Sequence, residues 1–120
     1  MPTREWNWSH AEKQTARRAF DRALDEEKEA AIRELKERVA RIRSAEDIDD
    51  LWALEDWLRR RRKGIDDKFD YRYSVLPEVF ARLLFEGAIE EADLSGLARE
   101  KVDEIRRIAG IFRDLASRRG

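Results

Sequence analysis

The chain has 120 residues, of which 44% are charged and 42% hydrophobic, and its formal net charge is −1. This length predicts one domain or one protomer of an oligomer, and the near-neutral charge argues against a general nucleic-acid-binding protein, which usually has a basic excess. Without cysteine neither a disulfide nor a thiolate zinc site can form, and without a membrane-length or signal-type apolar run we expect a soluble, cytoplasmic protein.

The first predicted helix follows a short lead-in at residues 1–8. There Trp6 and Trp8 are expected either to pack on the protein's own surface or to extend a partner-binding face. Ser9 and Glu12 form the S-x-x-E pattern of a capping box, and no glycine or proline follows before Arg43. Apolar residues then recur mostly every three or four positions, which predicts a helix with one thin apolar stripe. The stripe comprises Ala16, Phe20, Ala23, Leu24, Ala31, Leu35, Val39 and Ile42.

The length of this helix predicts a second copy of the chain. A helix over residues 9–43 would extend roughly 50 Å, whereas a compact domain of this chain length has a diameter of about 35 Å. The apolar stripe therefore extends beyond what one globule of the same chain could cover. We predict a homodimer built on antiparallel or crossing helices, with Leu35 among its interface residues.

Ser44 predicts the start of a second helix, with Glu46 and Asp47 in the first turn, where the helix dipole favours acidic residues. Gly64 is expected to bend or fray this helix without ending it. Two faces can be distinguished by their spacing. One has Ile48, Leu51, Leu54 or Glu55, Leu58 and Ile65, and the other has Trp52, Asp56, Arg59, Arg60 and Lys63.

Two shorter helices are predicted in the rest of the chain. Aromatic residues alternate with polar ones from Phe69 to Ser74, and we prefer a connection or a helix turn to an isolated strand. Ser74 can cap the third helix. The first turn of this helix tolerates Pro77, and Gly87 can end it. Its apolar face has Val79, Phe80, Leu83 and Leu84. Asp93 to Gly96 form a tight connection, and the last helix has Val102, Ile105, Ile108, Phe112 and Leu115 on its inner face, before a frayed tail from Ser117.

Residues that could carry catalysis are sparse. His10 is the single histidine and has no partner nearby in sequence. Adjacent acidic residues, such as Asp49 and Asp50, point about 100° apart on a helix and do not build a shared carboxylate site. No Walker, dinucleotide-binding or H-E-x-x-H motif occurs. We therefore expect no enzyme, no catalytic residue, no cofactor and no metal.

Two features of the second helix are candidates for binding. The basic run from Arg59 to Lys63 fans around more than one turn, so a solvated, salt-bridged face is favoured over phosphate binding. Trp52 and Asp56 share one face at i,i+4. Tryptophan and arginine often dominate protein–protein interfaces, so Trp52 is either a partner-binding residue or part of the core or the dimer interface.

A set of residues over about positions 5–108 follows the pattern of a known protein family, and its most specific part is the run from Lys68 to Leu76. The residues are Trp8, Glu12 and Lys13; Asp50, Trp52, Leu54, Asp56, Leu58 and Arg62; Ile65 and Asp66; Lys68, Phe69, Asp70, Tyr71, Arg72, Tyr73, Ser74, Val75 and Leu76; and Val79, Phe80, Ala81, Leu83, Glu86 and Gly87. In these residues the sequence resembles the fluorescence recovery proteins of cyanobacterial photoprotection.

The resemblance implies an all-α homodimer with a long helical stalk and a small helical head, dimerising through the stalk helices. On the single domain of residues 1–120 it predicts stalk helices over about 9–66, a head over about 70–116, and tails at 1–8 and 117–120. It implies binding to the light-activated orange carotenoid protein and acceleration of its return to the resting form. The family's functional cluster corresponds to Trp52, Asp56 and Arg62, and Leu51, with Trp52, to the dimer interface.

Three departures from the family pattern concern the partner. Glu55 stands where the family has a histidine, Pro77 and Glu78 where an aromatic residue follows the YRYSVL run, and Glu104 where the head has a lysine. An acidic residue at such a contact would weaken binding to the partner or change which partner binds. The arginine- and alanine-rich composition is also typical of a relative from outside the well-studied cyanobacterial members.

Three functional hypotheses follow. The first is a regulator resembling fluorescence recovery protein, with orange carotenoid protein or a related protein as partner. The second is an interaction module of the same fold with an unrelated bacterial partner. The third, with less support, is a helical protein that associates with nucleic acid through the run from Arg59 to Lys63.

Overall fold

The computed structural model describes residues 6–119, and these form four α-helices without any strand. The helices are α1 (His10–Ala40), α2 (Ile48–Lys68), α3 (Leu76–Glu86) and α4 (Arg99–Arg119), with short 3-10 turns at Ala45–Asp47 and Glu91–Leu94. The predicted all-α class is thus confirmed. The alternating aromatic residues before Ser74 lie in an irregular connection and not in a strand.

The predicted capping box begins α1. The Ser9 N–H donates to the Glu12 carboxylate at 3.0 Å, and the Glu12 N–H donates to Ser9 Oγ at 3.1 Å. The helix ends at Ala40, three residues before the predicted end at Arg43. The N–H groups of Arg41 and Ile42 donate to carbonyls three residues earlier, at 3.2 and 3.0 Å. This tighter turn leads the chain out of the helix.

The start of α2 differs slightly from the prediction. Ser44 is a cap, but of the 3-10 turn Ala45–Asp47, where its Oγ accepts from the Glu46 N–H. The α-helix itself begins at Ile48 and continues through Gly64 to Lys68, as expected for a glycine that does not end the helix.

The start of α3 corrects the prediction, and its end confirms it. Val75, and not Ser74, is the N-cap residue, because the Val75 carbonyl accepts from the Val79 N–H at 3.1 Å, as the carbonyl of an N-cap residue does. Pro77 lies in the first turn, where its missing N–H has no intrahelical partner to lose. Gly87 ends the helix with a φ of 77°, a conformation that a residue with a side chain adopts at a cost.

The described residues divide into two compact units. The α3–α4 unit combines residues 6–23, which include the start of α1, with residues 70–119. The hairpin unit comprises residues 24–69. The domain organisation predicted from the sequence, with a stalk up to about residue 66 and a head from about residue 70, stays a prediction.

The α3–α4 unit contains a continuous apolar core. Phe80, Leu76, Leu83, Ile89, Leu94 and Ile105 are its largest fully buried side chains. The start of α1 contributes the buried residues Ala16, Ala19, Phe20 and Ala23. Burial of this kind stabilises a fold by about 25 cal/mol per Å² of apolar surface removed from water.

The inner face of α4 differs in part from the prediction. Lys101, Ile105 and Ala109 are buried, at a spacing of four residues. Leu115, predicted on this face, is 51% exposed, because α4 continues beyond the part of the core that it covers. Within the described residues α4 remains helical to Arg119, and the fraying predicted for the tail from Ser117 stays a prediction.

Candidate functional site

The residues that the sequence singled out for partner binding all lie on α2 in the hairpin unit. Trp52 is 56% exposed, and Asp56, one turn further along the same face, is exposed as well. Trp52 is therefore not a core residue of its own chain. An exposed tryptophan beside an exposed carboxylate offers apolar area and a hydrogen-bond acceptor to a partner.

Arg62 lies further along α2 and is 87% exposed in its side chain. It pairs with Asp66 one turn ahead, at 3.8 Å. An exposed pair of this length contributes at most about 1 kcal/mol, so the guanidinium can leave Asp66 for another carboxylate at little cost. The structure shows no contact of Arg62 with Trp52 or Asp56 within residues 6–119.

The basic run on α2 is largely neutralised by carboxylates of the same unit. Arg59 pairs with Glu55 at 2.8 Å and Lys63 with Asp67 at 3.1 Å, both at i,i+4. Arg61 points to α1 and pairs with Glu27 at 3.0 Å. These pairs favour the salt-bridged interpretation of the run over binding to a nucleic acid backbone.

The hairpin unit also exposes several large apolar side chains. Leu51, predicted as an interface residue, is 39% exposed, and Leu35 on α1 is half-buried. The other exposed apolar residues of this unit are Ile32, Val39, Ile48 and Leu58, each between 41% and 51% exposed. These side chains offer apolar area that a second protein could cover.

A buried ion pair in the α3–α4 unit was not predicted from the sequence. Lys101 Nζ donates to both carboxylate oxygens of Glu12 at 2.9 Å, and the two side chains are only 5% and 10% exposed. Lys101 also donates to the Asn7 carbonyl at 2.7 Å. The sequence contained a sign of this ion pair. Lys101 lies four residues before Ile105 on the apolar face of α4, and a lysine buried on such a face requires a partner.

The environment of Glu12 keeps its carboxylate ionised. Burial by itself would raise the pKa of this group. Hydrogen bonds from Lys101 and from the N–H groups of Ser9 and Ala98, together with the positive charge of Lys101, outweigh burial and lower the pKa from 4.5 to about 2.

Residues 6–9 pack on the protein's own surface. This is the first of the two alternatives predicted for Trp6 and Trp8, the other being a partner-binding face. Lys101 Nζ lies 4.9 Å from the centre of the Trp8 ring and 5.9 Å from that of Trp6. The Trp8 ring lies 5.5 Å from that of Tyr73. Lys101 thus holds residues 6–9 by its hydrogen bond and by two cation–π contacts.

The run from Lys68 to Leu76 makes structural contacts through its tyrosines. The Tyr71 ring packs edge-on against Phe20 at 4.8 Å and against Tyr73 at 5.6 Å. The Arg17 guanidinium lies 4.3 Å from the centre of the Tyr71 ring, and Lys13 Nζ lies 5.4 Å from that of Tyr73. These contacts join the chain after α2 to the start of α1, so the two tyrosines of the run have a structural role.

The three departures from the family pattern lie at the surface or at its edge. Glu55 pairs with Arg59, Glu104 pairs with Arg107, and Glu78 is exposed in the first turn of α3. Each side chain is therefore at least partly accessible to a second protein.

Other kinds of site find little support in the described part of the chain. His10 is exposed, and its Nε2 lies 3.2 Å from the amide nitrogen of Gln14. No group of three histidine, cysteine, aspartate or glutamate side chains within residues 6–119 could hold a metal ion. Over the same residues, no helix combines the length and the apolar character needed to cross a bilayer.

Together the four helices and their exposed aromatic and apolar surfaces define an all-α protein with candidate interaction faces. The model of a family described as photoprotection regulator fluorescence recovery protein matches residues 8–109. The chain is also 38% identical over 109 residues to Fluorescence recovery protein of Synechocystis sp., with 91% of this chain and 97% of that protein covered. The chain therefore belongs to the fluorescence recovery protein family of photoprotection regulators, and the predicted resemblance is confirmed.

Solved structures agree with this assignment. The fluorescence recovery protein of Fremyella diplosiphon is 35% identical and superimposes with a TM-score of 0.78, and 86% of this chain and 98% of that chain are covered. The protein from Synechocystis sp. is 38% identical with a TM-score of 0.79, at the same coverage. The fold predicted from the sequence is thus found in experimentally determined relatives.

Proposed function

We propose that this chain is a non-enzymatic, homodimeric regulator that binds photoactivated orange carotenoid protein and accelerates its return to the resting form. Its action would end photoprotective quenching, and the proposal includes a cytoplasmic location. The observation that carries it is family membership over residues 8–109, combined with the presence of Trp52, Asp56 and Arg62 at exposed positions of α2.

Binding alone suffices for this activity. A partner that binds one conformation of a two-state protein more tightly shifts the equilibrium toward it by the difference in binding free energy. If it also binds the transitional conformation, it lowers the barrier between the two states. Trp52 can contribute the apolar area that remains exposed in the free chain, and Asp56 and Arg62 can supply charge-assisted hydrogen bonds.

The test is the rate at which photoactivated orange carotenoid protein converts from its red to its orange form in the dark. The unmodified chain should accelerate the conversion, and Trp52→Ala should raise the protein concentration needed for half-maximal acceleration about thirtyfold, as expected when an interface hot spot worth about 2 kcal/mol is truncated. Leu115→Ala is the matched control, because Leu115 is also an exposed apolar residue but lies on α4.

A second pair of variants separates charge from general surface effects. Asp56→Asn should slow the recovery, whereas Asp114→Asn, at an exposed position of α4, should leave it unchanged. Recovery that stays at the spontaneous rate with excess protein would refute the proposed activity.

The alternative is an interaction module of the same fold with an unrelated partner. It is favoured by Glu55, Glu78 and Glu104, which place acidic groups on surfaces of α2, α3 and α4. This alternative predicts no acceleration of the orange carotenoid protein but capture of a specific protein that Trp52→Ala abolishes.

A further inference from the structure

A polar recess lies within the α3–α4 unit, on the side of α1 that faces the connection before α4. Its volume is about 370 Å³, and it opens to solvent. One wall is α1 and the other is the segment from Ala92 to Gly96. The lining residues that matter for binding are Thr15, Arg18, Arg22, Asp93, Ser95 and Gly96.

Two arginines one helical turn apart give the recess its positive character. Arg18 and Arg22 lie on the same face of α1, and like charges at i,i+4 destabilise a helix by a few tenths of a kcal/mol. In the part of the chain that the structure describes, no acidic side chain pairs with Arg18. The nearest acidic neighbour in sequence, Asp21, pairs with Arg17 at 3.2 Å.

Asp93 orients one of these arginines. Its Oδ2 accepts from Arg22 Nη2 at 2.7 Å and from the Glu90 N–H at 2.8 Å. This carboxylate is 18% exposed in its side chain. It therefore holds the Arg22 guanidinium at the recess and leaves Arg18 as the cation available to a ligand.

Hydroxyl groups complete the set of donors. Thr15 and Ser95 lie on opposite walls. The backbone at Gly96 approaches Thr15 so closely that a Cβ atom at this position would lie 2.0 Å from Thr15 Oγ1. Guanidinium groups with adjacent hydroxyls are the donors that bind phosphate oxygens in proteins.

We propose that this recess binds a phosphate group, with Arg18 as the principal cation, Arg22 as the second, and the hydroxyls of Thr15 and Ser95 as further donors. A phosphate carries more negative charge than a carboxylate, and its oxygens point in tetrahedral directions, so it can accept from donors on both walls of the recess, whereas the two oxygens of a carboxylate lie in one plane. The ligand is either inorganic phosphate or the phosphomonoester of a small molecule, since the recess is open to solvent on one side. This inference is independent of the proposed function and concerns a different surface from α2.

The experiment is a titration of the full chain with inorganic phosphate at constant ionic strength, followed by amide chemical shifts. Saturable shifts are expected at Thr15, Arg18 and Gly96. Arg18→Gln should weaken the affinity about tenfold or more, as for the loss of a hydrogen bond to a charged group. Arg33→Gln, at another exposed arginine on α1, should leave it unchanged, and thermal unfolding would verify that both variants are folded.

Two further ligands define the chemistry. Tighter binding of glycerol phosphate than of inorganic phosphate would identify an esterified phosphate as the ligand, and weaker binding would identify the free ion. Acetate should bind at least about tenfold more weakly than phosphate, because it can accept from fewer of these donors. Shifts that do not saturate, an unchanged affinity in Arg18→Gln, or equal binding of acetate would each overturn the proposal.

Discussion

Glu12 and Lys101 illustrate how a single pair of residues can join distant parts of the chain. They are 89 positions apart in sequence and nearly inaccessible to solvent. Both carboxylate oxygens of Glu12 accept several hydrogen bonds, one of them from the Ala98 N–H at 2.8 Å. A buried pair with its hydrogen bonds complete adds little net stability over an apolar pair, but the loss of one member is costly.

Glu12→Gln should therefore lower the free energy of unfolding by about 3–5 kcal/mol at neutral pH, since it leaves the Lys101 ammonium buried without its counter-ion. The folded-state pKa of Glu12 is about 2, below its ordinary value of 4.5. Its stabilising contribution is thus complete above the ordinary pKa and is lost as the pH falls through about 2. Urea unfolding at several pH values should show the effect of the variant shrinking over this range.

The matched control for this experiment is Glu37→Gln, an exposed position on α1, which should change stability by less than about 0.5 kcal/mol. An effect of Glu12→Gln that is the same at neutral and strongly acidic pH would contradict the assignment of the stabilisation to the ionised carboxylate.

Two glycines provide a second contrast at the residue scale. At Gly96 a Cβ atom would collide with the side chain of Thr15, whereas at Gly64, within α2, no atom lies within 4 Å of the added Cβ. The same substitution should therefore have opposite effects at the two sites.

Gly96→Ala should destabilise the protein by about 1–3 kcal/mol, the usual cost of an overpacked site. Gly64→Ala should stabilise it by up to about 1 kcal/mol, because alanine has the higher helix propensity. Chemical denaturation of both variants measures this difference. Adding Thr15→Ala to Gly96→Ala should recover part of the loss, and equal effects at both glycines would show that the contact with Thr15 is unimportant.

At the scale of elements, α4 combines a packed first part with a solvated last part. Ile105 and Ala109 are fully buried, whereas residues 113–119 are exposed. Between them the ring of Phe112 is half-buried and lies 5.9 Å from that of Phe85. The match to the family model ends at residue 109, close to where α4 leaves the core.

A chain that ends after Phe112 should be within about 0.5 kcal/mol of the full chain in stability, because the removed residues bury little surface. Phe112→Ala should cost more, about 1–2 kcal/mol, since it removes a half-buried aromatic ring and its contact with Phe85. Thermal unfolding of both variants gives the comparison. A larger loss from the truncation than from Phe112→Ala would indicate that the end of α4 has a stabilising contact.

For the whole molecule, the main consequence of the structure is that the hairpin unit leaves apolar side chains exposed. Leu54 is buried, but Leu51, Leu58 and Trp52 remain at least 39% exposed. Our proposal assigns part of this surface to a second copy of the chain and part to the partner protein. Isologous contacts of this kind are the commonest way in which soluble chains form oligomers.

Leu51→Asp should convert the proposed dimer into a monomer, because each copy would bury an unpaired carboxylate in the interface. Sedimentation equilibrium at micromolar concentration measures the change. Leu115→Asp is the control, since Leu115 is 51% exposed but lies in the α3–α4 unit, and it should remain dimeric. A monomeric unmodified chain at this concentration would contradict the proposed dimer.

Much of the local structure could be predicted from the sequence, because it depends on neighbours within a turn or two. The capping box of Ser9 and Glu12, the left-handed Gly87 and the four helices are of this kind. The sequence could not predict whether Trp52 is exposed. The helical period shows which residues share a face but not what covers that face.

The remaining features were decided by tertiary structure. Leu115 is exposed because α4 extends past its core. By itself the sequence determined the helical class, the family and the candidate residues of α2. Only the tertiary structure decided which charged residues are buried, because the pairing of Glu12 with Lys101 and the lining of the recess depend on residues that lie far apart along the chain.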